Sequence, residues 1–420
     1  MAERQFVTDY PYSLDRVLAP LTRQAFLETY FERRHLVVYG HAPDRFADLL
    51  SFDEVDRVIS TMGLASPEIT VTKPHEGDDR SEDDSDNDAG HSDRDSGPAP
   101  STLAAGRIDP VRVARDFAAG GTVILRALHE RLPALARFTR SLEATLSARV
   151  QTNIYLTPAH QQGFRAHFDT HDVLILQIEG TKEWRIYDSP VSLPLPDQGY
   201  TPGSVQIGAE TDRFVLSPGD VAYIPRGLAH DAVATGTRSL HITTGLMFRT
   251  WADVAAEALR VAAHDDVSFR RALPPGFAQP GADLAAHEAT LRGLLTKLAD
   301  QAPVEALMTA FQTQFVADRV PRSERYLTEI ARAEDLDGAA RIAARPDLIF
   351  ALSRQGGPEG TIDLSVHGNV ISFPPQAESA LRFVLASDGV KVADLPGPLD
   401  LQGKLVLVRR LIRDGLLYIR

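Results

Sequence analysis

The chain has 420 residues, 43% of them hydrophobic and 24% charged, with a net charge of −13 at neutral pH. That length suits two or three domains with real cores, and no segment approaches the roughly 20 uncharged apolar residues that span a bilayer. Cysteine is absent, which excludes disulfides, thiolate metal sites and cysteine nucleophiles.

The opening stretch MAERQFVTDY has no apolar signal core, so a soluble, cytoplasmic protein is expected. Residues 13–62 read as helices with short connections: LTRQAFLETYFERR has apolar residues at helical spacing, and LSFDEVDRVISTM opens as a helix at Ser51 or Asp53. Residues 76–95 hold ten Asp or Glu against two Arg, eight of the thirteen net negative charges. With almost no apolar side chain, this stretch cannot offset its ordering entropy and reads as a disordered insert at about 75–100. A calcium site is the alternative, although the glycine and spacing of an EF-hand loop are missing. Asp109-Pro110 then opens a helix that Gly120-Gly121 stops, and LHERLPALARFTRSLEATL continues as helix.

At Arg149 the texture changes. RVQTNIYLTP, DVLILQIEG, KEWRIYDSP, DRFVLSPGD, DVAYIPRG and SLHITTGLMF are short β-rich runs split by Gly and Pro. About 100 residues of this pattern indicate an antiparallel barrel or sandwich. From Trp251 to about Leu336 the chain reads as helical again. The last segment reads as helix (AESALRFVLAS), helix (LQGKLVLVRRLIRDG) and closing strand (LLYIR), which resembles a winged helix. Its second helix carries Lys404, Arg409, Arg410 and Arg413, yet residues 376–420 have only seven Lys or Arg against five Asp or Glu. That excess is weak for a phosphate-binding surface, so a structural or protein-contact role is expected.

The chemistry concentrates in HFDTHDVLILQIEGTKEW, residues 167–184, where His167, Asp169, His171 and Asp172 crowd the first six positions. Glu179-Gly180 has turn chemistry and reads as a two-residue hairpin loop. That register pairs Gln177 with Lys182. It puts His167, Asp169, His171, Val173, Ile175 and Gln177 on one face with Lys182, Trp184 and Ile186. Along a strand, i and i+2 lie roughly 7 Å apart and i and i+4 roughly 14 Å. One ion bonded at about 2.1 Å can therefore take His167 with Asp169 but not easily His171 as well. The third ligand is expected from PGDVAYIPRGLAH, residues 218–230, where two turns flank a short strand and aim His230. Their spacing is that of the second cupin motif.

Two His and one carboxylate make a facial triad with open positions, the pattern of non-haem Fe(II) oxygenases. Such an oxygenase needs a reductant that chelates iron. 2-Oxoglutarate does so, and its far carboxylate needs a buried cation, the role Lys182 is expected to fill. A lysine reaching out of a barrel end is the bland alternative.

These residues resemble the JmjC-type ribosomal oxygenases, cupin-like 2-oxoglutarate-dependent protein hydroxylases, over most of the chain. HFD resembles the family's His-x-Asp, PRGLAH its distal histidine, and LQIEGTKEWRIY the strand, turn, lysine and tryptophan that hold 2-oxoglutarate. Lysine stands where some bacterial members have arginine. NIYLTP resembles the strand that contributes an Asn and a Tyr, here Asn153 and Tyr155. SLHITTG resembles the late barrel strand beside the cosubstrate, which points to Thr243, with His241 near it or facing substrate. His171 and Asp172 read as a pair at the barrel mouth that orders the loop or meets substrate, and Trp184 as core.

The resemblance implies an α+β fold: a double-stranded β-helix (cupin/JmjC barrel) with flanking helices, a helical dimerisation region and a C-terminal winged helix. The expected divisions are a catalytic domain over 1–250, a dimerisation domain over 251–336 and a winged-helix domain over 337–420. It implies a dioxygenase that uses Fe(II), 2-oxoglutarate and O2 to hydroxylate an Arg or His side chain of a ribosomal protein. A homodimer is implied, and neither membrane association nor direct nucleic-acid binding is expected. Methyl-lysine demethylation is the rival within enzymes, and a metal-sensing regulator that binds DNA through its winged helix is the rival outside them.

Overall fold

The computed structural model describes residues 12–40, 42–72, 106–203, 205–322, 324–346, 348–357 and 360–420. The acidic stretch 76–95 lies outside them. The chain divides into two units, one made of Val7–Met247 with Arg322–Leu327, the other of Phe248–Pro321 with Thr328–Arg420.

In the first unit, helices α1 (Leu14–Leu18) and α2 (Arg23–Thr29) start at Ser13 and Thr22, whose side chains accept from backbone N–H groups of the first turn. Strand β1 (Leu36–Val38) follows, so the stretch 13–62 is not all helix. Of the two starts expected for helix α3 (Phe52–Thr61), the cap is Ser51, which accepts from Glu54 N. Beyond strand β2 (Ile69–Val71), helix α4 (Pro110–Ala118) is capped by Asp109 with proline at its first position. Strand β3 (Val123–Leu125) precedes helix α5 (Pro133–Leu146), so the helix expected from Leu128 starts five residues later, at the proline. The sheet is completed by β4 (Arg149–Thr157), β5 (Asp172–Tyr187), β6 (Glu210–Leu216), β7 (Val221–Ile224) and β8 (His230–Met247). It runs β1-β7-β5-β8-β4-β3-β2, with β6 also on β5, and every pairing is antiparallel.

The hairpin expected at Glu179-Gly180 does not exist. β5 runs straight through, and its two halves change partners there. Residues 173–176 pair with β7 and 182–187 with β6, while β8 pairs with both halves. Gly180 does have a left-handed φ of 64°, which made it look like a turn residue. Its other constraint is proximity: a Cβ there would lie 1.9 Å from the Arg238 carbonyl oxygen on β8. The register shifts between Gln177 and Glu179 and again between Glu179 and Thr181. An extra residue at a bulge reverses the alternation of faces. Lys182 and Trp184 therefore share the inner face with Val173 and Ile175 although their parity differs. The inner face is filled by Val173, Ile175, Trp184, Ile186, Phe214, Leu216, Ala222, Ile224 and Ala232. Each large apolar side chain so buried stabilises by about 1.5–3 kcal/mol, and together they form a rigid floor for the polar groups above.

The second unit begins with helices α6 (Trp251–Asp265), α7 (Leu284–Gln301) and α8 (Val304–Ala317), and takes α9 (Tyr326–Arg332) from Thr328 onward. Six strands and two helices follow: β9 (Arg341–Ala344), β10 (Phe350–Arg354), β11 (Ile362–Val366), β12 (Asn369–Phe373), α10 (Glu378–Leu385), β13 (Val390–Lys391), α11 (Leu401–Arg413) and β14 (Leu417–Ile419). They form two three-stranded sheets, β10-β11-β12 and β13-β9-β14, over a core that includes Leu348, Phe350, Leu381, Val408 and Leu411. No helix among the described residues is long and apolar enough to cross a membrane.

Candidate metal centre and anion pocket

His167, Asp169 and His230 come together although His167 and Asp169 precede the first residue of β5. Their ligand atoms all lie within 4.8 Å of one another. The loop that carries the first two is tied to the start of β8 by backbone bonds. His167 N donates to His230 O (3.1 Å), His230 N donates to His167 O (2.8 Å) and Gly227 N donates to Asp169 O (2.9 Å). The extended-strand spacing assumed for 167–171 is therefore not the geometry here; a loop bridged to β8 brings the ligands together.

Both imidazoles are oriented by carbonyls. His167 Nδ1 lies 2.8 Å from Arg165 O and His230 Nδ1 lies 3.0 Å from Leu228 O. A ring that donates through Nδ1 carries its lone pair on Nε2, the tautomer a metal needs. His230 Nε2 lies 3.8 Å from Asp169 Oδ2. Burial, and then the neighbouring His167, push the His230 imidazole below its usual value. Burial alone would raise the Asp169 carboxyl, but His171, His167 and His230 hold it below the usual carboxylate range. Two imidazoles and a carboxylate are the donor set of a facial Fe(II) site.

The other end of the same cavity is cationic. Lys182 is 4% exposed, and its Nζ donates to Thr157 Oγ1 at 3.2 Å. That nitrogen lies 5.9 Å from the centroid of the Trp184 ring, and burial is the cause that lowers its pKa from 10.5 to about 7. Beside it, His241 stacks on Tyr155 (centroids 5.1 Å apart, planes at 5°) and meets the edge of Trp184 at 5.6 Å. Burial, and then Lys182, push the His241 imidazole well down; its Nδ1 is buried without a partner among the described residues. An unpaired buried ammonium beside an unpartnered ring nitrogen is costly unless an acidic ligand meets them.

Asn153, Tyr155 and Thr243 line this cavity with His167, Asp169, His230 and Lys182. The register explains why: Asn153 pairs with Thr243 and Tyr155 with His241 across β4 and β8, so all four project to one side. Asn153 Oδ1 accepts from Ala127 N at 3.1 Å. Trp184 belongs both to the buried floor and to the cavity wall. His171 lines the cavity and lies against Gly245, where a Cβ would come within 2.7 Å of its ring. Asp172 parts company with it: the carboxylate is fully buried and is not among the lining residues. Arg126, Phe164 and Asp231 also line the cavity, and the sequence offered no periodic or motif signal for them.

Residues 127–254 match the JmjC domain family. Over 253 residues the chain is 32% identical to ribosomal oxygenase 1 of Rattus norvegicus, a match covering 56% of this chain and 41% of that protein. Over 273 residues it is 31% identical to the bifunctional lysine-specific demethylase and histidyl-hydroxylase NO66 of Drosophila willistoni, covering 62% of this chain and 33% of that one. The matched segments thus span less than half the length of these curated relatives. The fold is similar to that of the Escherichia coli ribosomal oxygenase YcfD in complex with cobalt and 2-oxoglutarate. The TM-score is 0.51 and the identity 16%, over 96% of this chain and 99% of the other. The resemblance to JmjC-type ribosomal oxygenases read from HFD, PRGLAH and LQIEGTKEWRIY is borne out, and so is a JmjC/cupin-type architecture of helices and antiparallel sheets, consistent with a double-stranded β-helix.

Proposed function

We propose that this JmjC-domain chain is an Fe(II)- and 2-oxoglutarate-dependent oxygenase that hydroxylates a side chain of a ribosomal protein, Arg or His. The observation that carries this reading is one cavity with three convergent donors at one end and an unpaired buried lysine at the other. His167, Asp169 and His230 would hold the metal, the two imidazoles oriented through Nδ1 by Arg165 O and Leu228 O. Lys182, held by Thr157, takes the far carboxylate of 2-oxoglutarate. Asn153, Tyr155 and Thr243 flank the cosubstrate, and His241 brings an unpartnered ring nitrogen to the same end. Val173, Ile175 and Trp184 keep water from the inner wall. When bound, Fe(II) with 2-oxoglutarate and O2 supplies the oxidant, and the protein's part is position and exclusion of water.

The test is iron-dependent conversion of 2-oxoglutarate to succinate by the full chain, followed by mass spectrometry of ribosomal proteins from cells with and without the gene. A ribosomal protein that gains one oxygen only when the gene is present supports hydroxylation; loss of a methyl group supports the demethylase reading. No succinate formation sinks both.

The second unit supports two further parts of the reading, a homodimer formed through its helices and a winged helix at its end. Helix α7 buries none of its residues and leaves Leu284, Leu291 and Leu295 exposed, as a helix with a partner would. Helices α10 and α11 with the β13-β9-β14 sheet have the composition of a winged helix. The side chains of Lys404, Arg409 and Arg410 are engaged by Ala393 O, by Ala333 O and Leu336 O, and by Asp414. That favours a structural role over a DNA-binding one.

A further inference from the structure

The start of β5 carries a buried carboxylate that does not face the cavity. Asp172 is fully buried and accepts three hydrogen bonds: from Tyr223 Oη (2.6 Å), from Arg226 N (3.1 Å) and from Arg226 Nη1 (3.3 Å). Burial raises its carboxyl from the ordinary value, and Tyr223 and Arg226 pull it back in part. Tyr223 is fully buried too, its ring edge-on to Phe26, and its hydroxyl also accepts from Glu32 N at 3.0 Å. Arg226 is shared with Glu32 Oε1 at 2.6 Å. Removing a carboxylate from water is costly even when it is paired, and an apolar residue could occupy a strand start without that cost.

Its position says what it does. Asp172 comes three residues after Asp169. Arg226 lies in the Pro225–Gly227 turn, four residues before His230, and the next residue, Gly227, donates to Asp169 O. We infer that Asp172 is a positioning residue for the metal: its carboxylate fastens the turn that aims His230 to the loop that carries His167 and Asp169. Tyr223 and Glu32 anchor the fastening to the segment after α2. The backbone bonds between His167 and His230 set the register of the two segments. The Asp172 contacts set their separation one turn further out, where a shift would swing His230 away from Asp169. Groups that orient metal ligands from outside commonly change metal affinity 10- to 100-fold when removed.

This inference rests on the metal reading of the site, and one titration separates the two. Mn(II) is titrated calorimetrically into the metal-free full chain, without oxygen, for the wild type, Asp169→Ala and Asp172→Asn. The visible spectra of the Co(II)-loaded proteins and the melting midpoints in chelator are recorded alongside. The expected result is Mn(II) binding about 10- to 100-fold weaker in Asp172→Asn, with a changed Co(II) spectrum at temperatures where the variant is folded. A merely structural role would lower the midpoint and leave both metal readouts unchanged; that result overturns the inference. Should Asp172→Asn not fold, Tyr223→Phe replaces it, with an expected loss of about 3- to 10-fold in Mn(II) affinity. Wild-type affinity in that variant likewise overturns the inference. If the wild type does not bind Mn(II), or Asp169→Ala binds it equally well, the metal reading itself has failed and this inference with it.

Discussion

At the metal end of the cavity the polar atoms are arranged before anything binds: each imidazole has a carbonyl for its Nδ1, and Asp169 sits among three histidines that hold it ionised. At the lysine end, Lys182 has one hydroxyl, and His241 Nδ1 has no partner among the described residues. The first end would therefore take the proposed metal with little rearrangement, because its donor groups balance one another beforehand. The second end holds a buried amine whose charged form has no ion-pair partner among the described residues, and an anion there would stabilise that charged form. Buried groups satisfied within the protein contribute shape, whereas buried groups left unsatisfied contribute affinity for something absent.

The largest expected effect breaks the first end. Asp169→Ala should abolish turnover and weaken Mn(II) binding beyond the range of calorimetry, since two imidazoles alone hold a hard divalent ion poorly. Its fold should survive, because the floor of the barrel lies on other residues. Ordinary succinate production by this variant would remove Asp169 from the site.

Breaking the second end should leave the first intact. Lys182→Ala should weaken 2-oxoglutarate binding by roughly 30- to 1000-fold, the loss of a charge-assisted partner worth about 2–4 kcal/mol. Mn(II) affinity should not change. An anaerobic titration of 2-oxoglutarate into the Mn(II)-loaded variant decides it, and wild-type affinity there would assign the lysine to something other than the cosubstrate.

The same lysine predicts a pH dependence that the metal end does not share. Its pKa falls from 10.5 to about 7 in the folded protein without an anion. Between those values the unfolded chain binds a proton that the folded protein does not. Stability without ligand should therefore rise with pH through that window, and below about pH 7 the full cost of the buried ammonium remains. A bound carboxylate restores the proton, so 2-oxoglutarate affinity should fall by up to about tenfold per pH unit above 7. Lys182→Met should remove the stability slope and raise the melting midpoint of the ligand-free protein at neutral pH. A flat affinity profile from pH 7 to 9 would show that the lysine is charged before the ligand arrives.

The smallest effect is expected at His171. Its ring influences Asp169 and lines the cavity but stands outside the three-ligand cluster. His171→Ala should keep the metal and most succinate production; loss of the metal would put His171 in the cluster and blur the distinction between the two ends.

The residues that converge as His167, Asp169 and His230, the lysine in their cavity and the β-rich middle were visible in the sequence because each is a local pattern. HFD and PRGLAH are compact motifs whose turns and ligands share one register, and caps such as Asp109 and Ser51 act within a single helical turn. What the sequence could not decide was pairing. Gly180 has the backbone conformation of a turn, and only the approach of Arg238 O, fifty-eight residues on, shows that the strand continues. The reading that put Lys182 beside the metal-binding face thus reached the right face by the wrong register, since a bulge and a hairpin both reverse parity. Strands β1, β2 and β3 have three residues each, too short for alternation to show, and they exist because partners in the sheet satisfy their backbone. In sequence Asp172 read as one of a barrel-mouth pair with His171, and His241 as a residue near the cosubstrate or facing substrate. Tertiary structure alone turned one outward to Tyr223 and Arg226 and the other inward beside Lys182, because the direction of a side chain is set by the register of partners far away in the chain.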